Sequence, residues 1–590
     1  MAMDPPGGTA SGDADVIFFG GEIVTVAAEE SELAPEAVAV KDGRIVFVGD
    51  RSRAFADWQG DGTVLRDLQG RTLLPGFIDA HGHLTGTGLQ ATIANLLAEP
   101  DGDVTDLDSL RQKLREFADS PVGLRSEWII GFGYDDSMLD GRKHPTRADL
   151  DEVSTERPVL AIHQSFHLGA VNSKGLELLG YGPGTPDPAG GVIRRESALV
   201  RPYGVPDGVL EESAFLPASG LAIDGMDPSD VGQFLFKGLR AAARFGFTTV
   251  QEGAASLDVL DAMREAAAEY PGGLPADVVV YVKAGEAVAE PERVRAGREY
   301  VRGLRAGGIK MVLDGSPQGR TAWLTEPYKT RPDGTDEGYR GYRAIEDETA
   351  LAQLRAGFEN DWQVIAHVNG DAAIDQFVGA LRTVTAESES GAEPEPGPAD
   401  RRPVAIHAQT ARADQLDAFA ELGVIPSFFS MHTYYWGDWY RETVLGKARA
   451  AEISPARWAL DRGLVYTSHH DAPVALPNSI AILSSQVTRV TRSGHVLGRH
   501  QRVSALDALK SLTINAAHQY FEQDDKGSIE VGKLADLVVL SDNPLLVPSK
   551  AIKDLTVEET VKAGVTVYDA ASEEPEPVPV TARVTPAPHC

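Results

Sequence analysis

The run LLPGFIDAHGHL (73–84) carries an apolar stretch into His81-Gly82-His83. Alternate residues of an extended chain face the same side, so these two imidazoles can reach one metal ion together. A His-x-His pair is a weak signal by itself. Two further histidines close short apolar runs, His367 after 364–366 and His407 after 404–406, and Asp471 closes YTSHHDAP (466–473). The chain has only 14 histidines in 590 residues, so their gathering at the ends of apolar runs is not what chance would give. Neutral imidazole together with carboxylate suits zinc, manganese or iron. The set reads as a metal site.

Lys310 sits inside another apolar run, GIKMVLDG (308–315), where an uncompensated ammonium is costly. Two readings stay open. In one, Lys310 forms an ion pair with Asp314 or Asp471. In the other, CO2 converts the amine into a carbamate (N6-carboxylysine), an anionic oxygen ligand able to bridge two metals.

These residues must be brought together by their elements. Eight short apolar runs end in polar residues: 73–80, 248–253, 277–283, 309–314, 364–368, 404–408, 424–428 and 465–471. Helical stretches such as 231–243, 350–360 and 412–422 separate most of them. Buried parallel strands read as continuous apolar runs and need helical crossovers, so the pattern predicts an α/β chain with a (β/α)8 TIM-type barrel, residues 73–525. A doubly wound sheet is the alternative. In a barrel the strand ends meet at one face, which is where the candidate ligands lie.

About 165 residues separate the first two runs, far more than a βα loop needs. Residues 100–235 therefore read as an inserted lobe, with strand-like pieces at 128–134 and 159–164. Short β-branched runs at 15–26 and 37–49, the latter with a Lys41-Asp42-Gly43 hairpin signal, resemble runs at 527–540 and 560–568. The segments 13–72 and 526–570 are expected to build one small β-sandwich-like domain from both termini. Residues 1–12 and 571–590 read as disordered tails, and the acidic, Pro-rich stretch 384–402 as a mobile connection.

Composition narrows the function classes. A formal charge of -32 repels phosphate backbones, and no Lys/Arg cluster offsets it, so nucleic acid is not an expected partner. No apolar run approaches the about 18 residues that span a bilayer. The one cysteine, Cys590, leaves no internal disulfide to form, and the N-terminal residues lack a secretory pattern, so the cytoplasm is the expected compartment.

Several motifs in order, LLPGFIDAHGHL (73–84), PVLAIHQSFHLGAVNSKGL (158–176), GTPDPAGGVI (184–193), DGSPQGRTAWLTEPY (314–328), AHVNGDAAID (366–375), HHDAPV (469–474) and GSIEVGKLADLVVL (527–540), resemble the amidohydrolase superfamily. Within it they are similar to the YtcJ-like, or amidohydrolase-3, group that includes N-substituted formamide deformylases. The resemblance covers most of residues 15–568. It implies one or two divalent metals, usually Zn2+, and hydrolysis of C–N bonds of amides or related groups. By position it implies His81 and His83 as ligands of the more buried metal, Lys310 as the carboxylated bridge, and His367 and His407 as ligands of the second metal. Asp471 is implied as both ligand and catalytic base.

The chain departs from the family pattern in two places. Ile406 stands where an acidic residue often precedes the strand-six histidine, and His469-His470 stand where smaller residues are frequent. The first is expected to alter the support around His407 rather than ligation itself.

Loops above a barrel carry specificity. The aromatic stretch 430–440, with His432, Tyr435 and Trp436, could line a pocket for an apolar or aromatic part of a small amide substrate, or simply pack under a loop. The lobe offers Phe132, Tyr134 and His167 as wall residues. Arg320 and Trp323 follow the Lys310 run, and His470 neighbours Asp471. His432 and His470 are open between pocket donors and partners of backbone groups. The leading expectation is hydrolysis of a non-peptide amide, an N-acyl or N-formyl amine, by metal-bound hydroxide with Asp471 as general base and acid. The alternatives are a mononuclear cyclic amidine or nucleobase deaminase, against which Lys310 argues, a metal-dependent isomerase, or a non-catalytic metal-binding protein. The relatives' habits imply a homodimer.

Overall fold

The structure, a computed structural model, describes residues 12–27, 34–196, 204–294, 297, 299–332, 335–391 and 400–572. Eight parallel strands pair in sequence order and curl into one sheet: β1 (Phe77–Ile78), β2 (Phe247–Ala255), β3 (Asp277–Lys283), β4 (Leu304–Val312), β5 (Gln363–Val368), β6 (Val404–His407), β7 (Ile425–Phe428) and β8 (Thr467–Ser468). Each is buried along most of its length, because helices cover the outside and side chains fill the inside. The interior holds Ile78, Ala80, Val279, Tyr281, Ile365, Val404, Ile406 and Ile425, closed at one end by Ala516, Ala517 and Tyr520. This is the α/β architecture of a TIM-type barrel.

The edges of β1 and β8 meet beyond their strand ends. Asp471 N–H donates to the His81 carbonyl at 3.2 Å, and His83 N–H donates to the Ala472 carbonyl at 2.7 Å. The two segments that hold candidate ligands thus also close the seam.

The run 73–80 does not form one strand. Thr72–Pro75 pairs antiparallel with Leu537–Leu540 in a five-stranded sheet, and only Phe77–Ile78 enters the barrel. Gly76 makes the crossing, since a Cβ there would come within 2.5 Å of the Thr248 side chain. A second sheet of four strands contains Val16–Phe19, Ala37–Lys41, Arg44–Gly49 and Val64–Asp67. The four-stranded sheet is all N-terminal, the five-stranded one takes strands from both termini, and the core they share includes Phe18, Val38, Leu73, Ile529 and Leu537.

A six-stranded sheet runs from Ala94–Asn95 to Pro206–Glu212, with its own apolar core. It starts before residue 100, earlier than the sequence suggested. Residues 384–391, read from sequence as part of a loop, instead continue the helix Asp371–Gly391. Most of that helix has the apolar spacing to bury Ile374, Phe377, Leu381 and Val384. The rest of the acidic stretch as far as 399, and the tails 1–11 and 573–590, lie outside the described residues. Among the described residues no helix is long and apolar enough to cross a membrane.

Candidate metal centre

The ligand candidates converge at the C-terminal ends of the barrel strands. His81 Nε2 and His83 Nε2 each lie 3.4 Å from Asp471 Oδ1, and these three residues place one donor atom each within 4.8 Å of the others. Gly82 between the histidines has to be small: a Cβ would fall 2.7 Å from Asp79 Oδ2 and 2.8 Å from His470 Cε1. Neighbouring residues of β2 fix both rings. His81 Nδ1–H donates to Gln251 Oε1 at 2.6 Å, and His83 Nδ1 faces Glu252 Oε1 at 3.8 Å. Each ring therefore turns Nε2 toward Asp471, the arrangement outer partners impose on metal-binding imidazoles.

A second pair stands beside the first. His367 Nε2–H donates to the Gly315 carbonyl at 3.1 Å, which leaves Nδ1 facing His407 Nε2 at 3.1 Å. Asp471 Oδ2 is 3.9 Å from His407 Nε2, so one carboxylate spans both histidine pairs. His407 Nδ1 lies 3.1 Å from His469 Nε2, and His469 Nδ1 lies 2.9 Å from Ser427 Oγ. Ile406 points into the barrel core, so His469, not the preceding residue, is the outer partner of His407. The two departures from the family pattern are linked in space.

Lys310 Nζ is 3.0 Å from His81 Nε2 and the residue is 4% exposed. Among the described residues no carboxylate comes within ion-pair distance of it, so neither Asp314 nor Asp471 is its salt-bridge partner at 4.0 Å or less. Asp314 instead accepts backbone N–H groups of Asn369, Gly370 and Trp323. Burial brings the Lys310 ammonium down to about 7, against a smaller opposing pull from Asp471. Burial also holds His81, His367, His407 and His469 well below the usual histidine range, with neighbouring cationic groups adding to it. These rings are neutral and offer lone pairs. His83 differs: burial opposes its charge, but Asp471 and Glu252 outweigh burial and raise it to about 9.

The residues fit a divalent metal. Asp471 Oδ1 is buried and has no hydrogen-bond partner among the described residues, a costly state for a carboxylate oxygen that a cation relieves. Asp471 and His407 both adopt left-handed backbone, with φ of 54° and 69°. Such strain in non-glycine residues clusters at functional sites.

A cavity opens above His367, His407, Asp471 and Asn369, with Ser165, His167, Ser316, Gln318, His432 and Val474 as its other walls. Ser316 Oγ and Asn369 Oδ1 are buried there without hydrogen-bond partners among the described residues. His167 Nδ1 meets Glu212 Oε2 at 2.9 Å, and its ring lies 5.2 Å from that of His367. His432 Nδ1 meets Tyr440 Oη at 2.6 Å, and burial lowers its pKa to about 3.

Other sequence candidates go elsewhere. His470 pairs with Asp79 at 3.2 Å, in a separate cavity beneath His83. Tyr435 donates to Asp101, and Trp436 Nε1 donates to Asp135 Oδ2 at 2.7 Å, so the aromatic helix His432–Trp439 ties the lobe to the barrel. Phe132 packs in the lobe core against Phe166, and Tyr134 is fully buried beside His144. Arg320 stacks on Trp439, and Trp323 donates its backbone N–H to Asp314. Sequence reasoning did not single out Gln251, Glu252, Ser316 or Asn369. Ser316, Gln318 and Asn369 stood inside the motifs 314–328 and 366–375 without being marked, and Gln251 and Glu252 stood in none, because all of them act through direction and distance rather than residue type.

Residues 64–568 match the amidohydrolase family. The putative amidohydrolase YtcJ of Bacillus subtilis (strain 168) is 27% identical over 94% of this chain and 99% of its own length. The N-substituted formamide deformylase of Arthrobacter pascens is also 27% identical, over 94% of this chain and 98% of its own. Among solved structures, an uncharacterized metal-dependent hydrolase from Pyrococcus horikoshii OT3 superposes with a TM-score of 0.69 at 22% identity, covering 90% of this chain and 99% of that one.

Proposed function

The chain belongs to the amidohydrolase family and is a hydrolase, and from that premise we propose that it cleaves the C–N bond of a small N-acyl or N-formyl amine. The relative from Arthrobacter pascens is named for deformylation of N-substituted formamides, chemistry of this kind. The observation that carries the reading is the span of Asp471, whose two oxygens face both histidine pairs.

His81 and His83 would hold one divalent ion, with zinc the leading candidate, and His367 and His407 a second. Lys310, as the carbamate formed from its neutral amine and CO2 with loss of one proton, would supply an anionic oxygen ligand beside them. Such ions polarise a carbonyl and lower the pKa of bound water. Asp471 takes a proton from the attacking water and returns it to the leaving nitrogen, so a C–O bond forms, the C–N bond breaks, and acid and amine result. His432, His167 and Gln318 line the space where the acyl group would sit. The close approach of Lys310 to His81 favours this reading over a mononuclear deaminase.

The test is turnover of a panel of N-formyl and N-acetyl amines by zinc-loaded protein, followed by proton NMR of released acid and amine. Release of ammonia from cyclic amidines, with the amides untouched, would transfer the assignment to deamination.

A further inference from the structure

Outside the ligand set, the lobe contributes a hydrogen-bonded chain that ends in the cavity. Asp136 Oδ1 lies 3.2 Å from His163 Nε2, and His163 Nδ1 lies 2.9 Å from Ser165 Oγ. All three are buried, His163 to 1% exposure, and Ser165 lines the cavity over His367 and Asp471.

The donors in this chain can be assigned one after another. The Ser165 backbone N–H donates to His163 Nδ1 at 3.0 Å. A backbone amide can only donate, so Nδ1 bears a lone pair and the ring proton sits on Nε2. That proton goes to Asp136 Oδ1. With no proton on Nδ1 to give, the 2.9 Å contact has the Ser165 hydroxyl pointing its proton there too, so the one lone pair of Nδ1 takes a three-centre bond from the Ser165 backbone N–H and Oγ–H. Ser165 Oγ also accepts the His167 backbone N–H at 3.3 Å. What Oγ still has to offer the cavity is a lone pair and no hydrogen.

We propose that Asp136 and His163 hold Ser165 as an obligatory hydrogen-bond acceptor over the metal ligands, so that the site selects substrates carrying an N–H next to the scissile carbonyl. Ser165 touches the substrate, while His163 and Asp136 are positioning residues. The inference rests on the amide-hydrolase reading and narrows it to secondary over tertiary amides. A polar group built to pair with a substrate N–H discriminates strongly against the analogue that lacks it, because the buried partner is left unpaired.

Two measurements test it. The first is the nitrogen-15 spectrum of His163 in the zinc-loaded protein, assigned with a His163→Gln control. A ring protonated at Nε2 alone is expected; a proton on Nδ1 overturns the proposal whatever the substrate proves to be. The second compares kcat/KM for N-butylformamide and N-butyl-N-methylformamide. Preference for the secondary amide should be at least about tenfold, fall toward unity in Ser165→Ala, and return in Ser165→Thr. Asp136→Asn should lower the preference alone but add nothing in the Ser165→Ala background. An undiminished preference in Ser165→Ala overturns the proposal while leaving amide hydrolysis standing. Turnover of neither formamide counts against the function assigned above and leaves the His163 tautomer to decide the relay.

Discussion

Lys310 Nζ stands 3.0 Å from His81 Nε2, although 229 positions separate the two residues in the chain. Burial leaves both groups short of protons, and the amine donates an N–H to the lone pair that His81 keeps on Nε2 once its Nδ1–H goes to Gln251. Both gain from a shared cation, the amine once it carries an anionic carboxyl group.

Metal content therefore should depend on this lysine. Protein purified without added metal is expected to carry about two zinc per chain by elemental analysis, and Lys310→Ala clearly less. One metal per chain, unchanged by the substitution, would remove the carbamate and point to mononuclear chemistry.

The lowered pKa gives the carbamate a pH signature. An ordinary lysine is mostly protonated until pH approaches 10.5, whereas Lys310, at about 7, frees its amine above neutrality. Reactivation of metal-stripped protein by zinc at a fixed CO2 pressure should speed up as pH rises through about 7 and then level off. A rate that keeps climbing toward pH 10 would contradict the buried, depressed amine.

Asp471→Asn preserves shape and removes the base. A positioned general base contributes typically about 10²–10⁴-fold, so kcat should fall by about 10³ or more with the fold intact by circular dichroism. Retention of a tenth of the activity would assign proton transfer to another group.

Outer partners should separate the two ions. Loss of such a partner typically costs about 10–100-fold in metal affinity. Gln251→Ala should weaken the ion at His81, and His469→Ala the one at His407, read by chelator competition. Equal loss of both ions from either variant would argue against distinct sites.

Much of this molecule was readable from local pattern. Apolar runs of strand length, the intervening helical stretches and the polar residues at the run ends follow from side-chain period and burial, which neighbours in sequence share. His81, His83, His367, His407 and Asp471 belong to that class, since a strand end in a barrel has only one face to reach. The boundaries that failed have their causes in partners far away in the chain. The run 73–80 divides at Gly76 because its first half has a better partner in Leu537–Leu540, and the acidic stretch begins as the end of a helix whose Ile374, Phe377, Leu381 and Val384 are buried in the core.

What the sequence by itself determined, then, was which residue types stand at the ends of which strands, and through them a barrel with a metal-binding face. Only the tertiary structure decided their directions. His469 supports His407 while its neighbour His470 turns away to Asp79. Tyr435 and Trp436 give their polar ends to the lobe, and Ser165 lines one cavity with His367, His407 and Asp471. Adjacent residues on an extended chain face opposite ways, and which of them meets a given partner depends on packing between segments hundreds of residues apart. No local pattern carries that information.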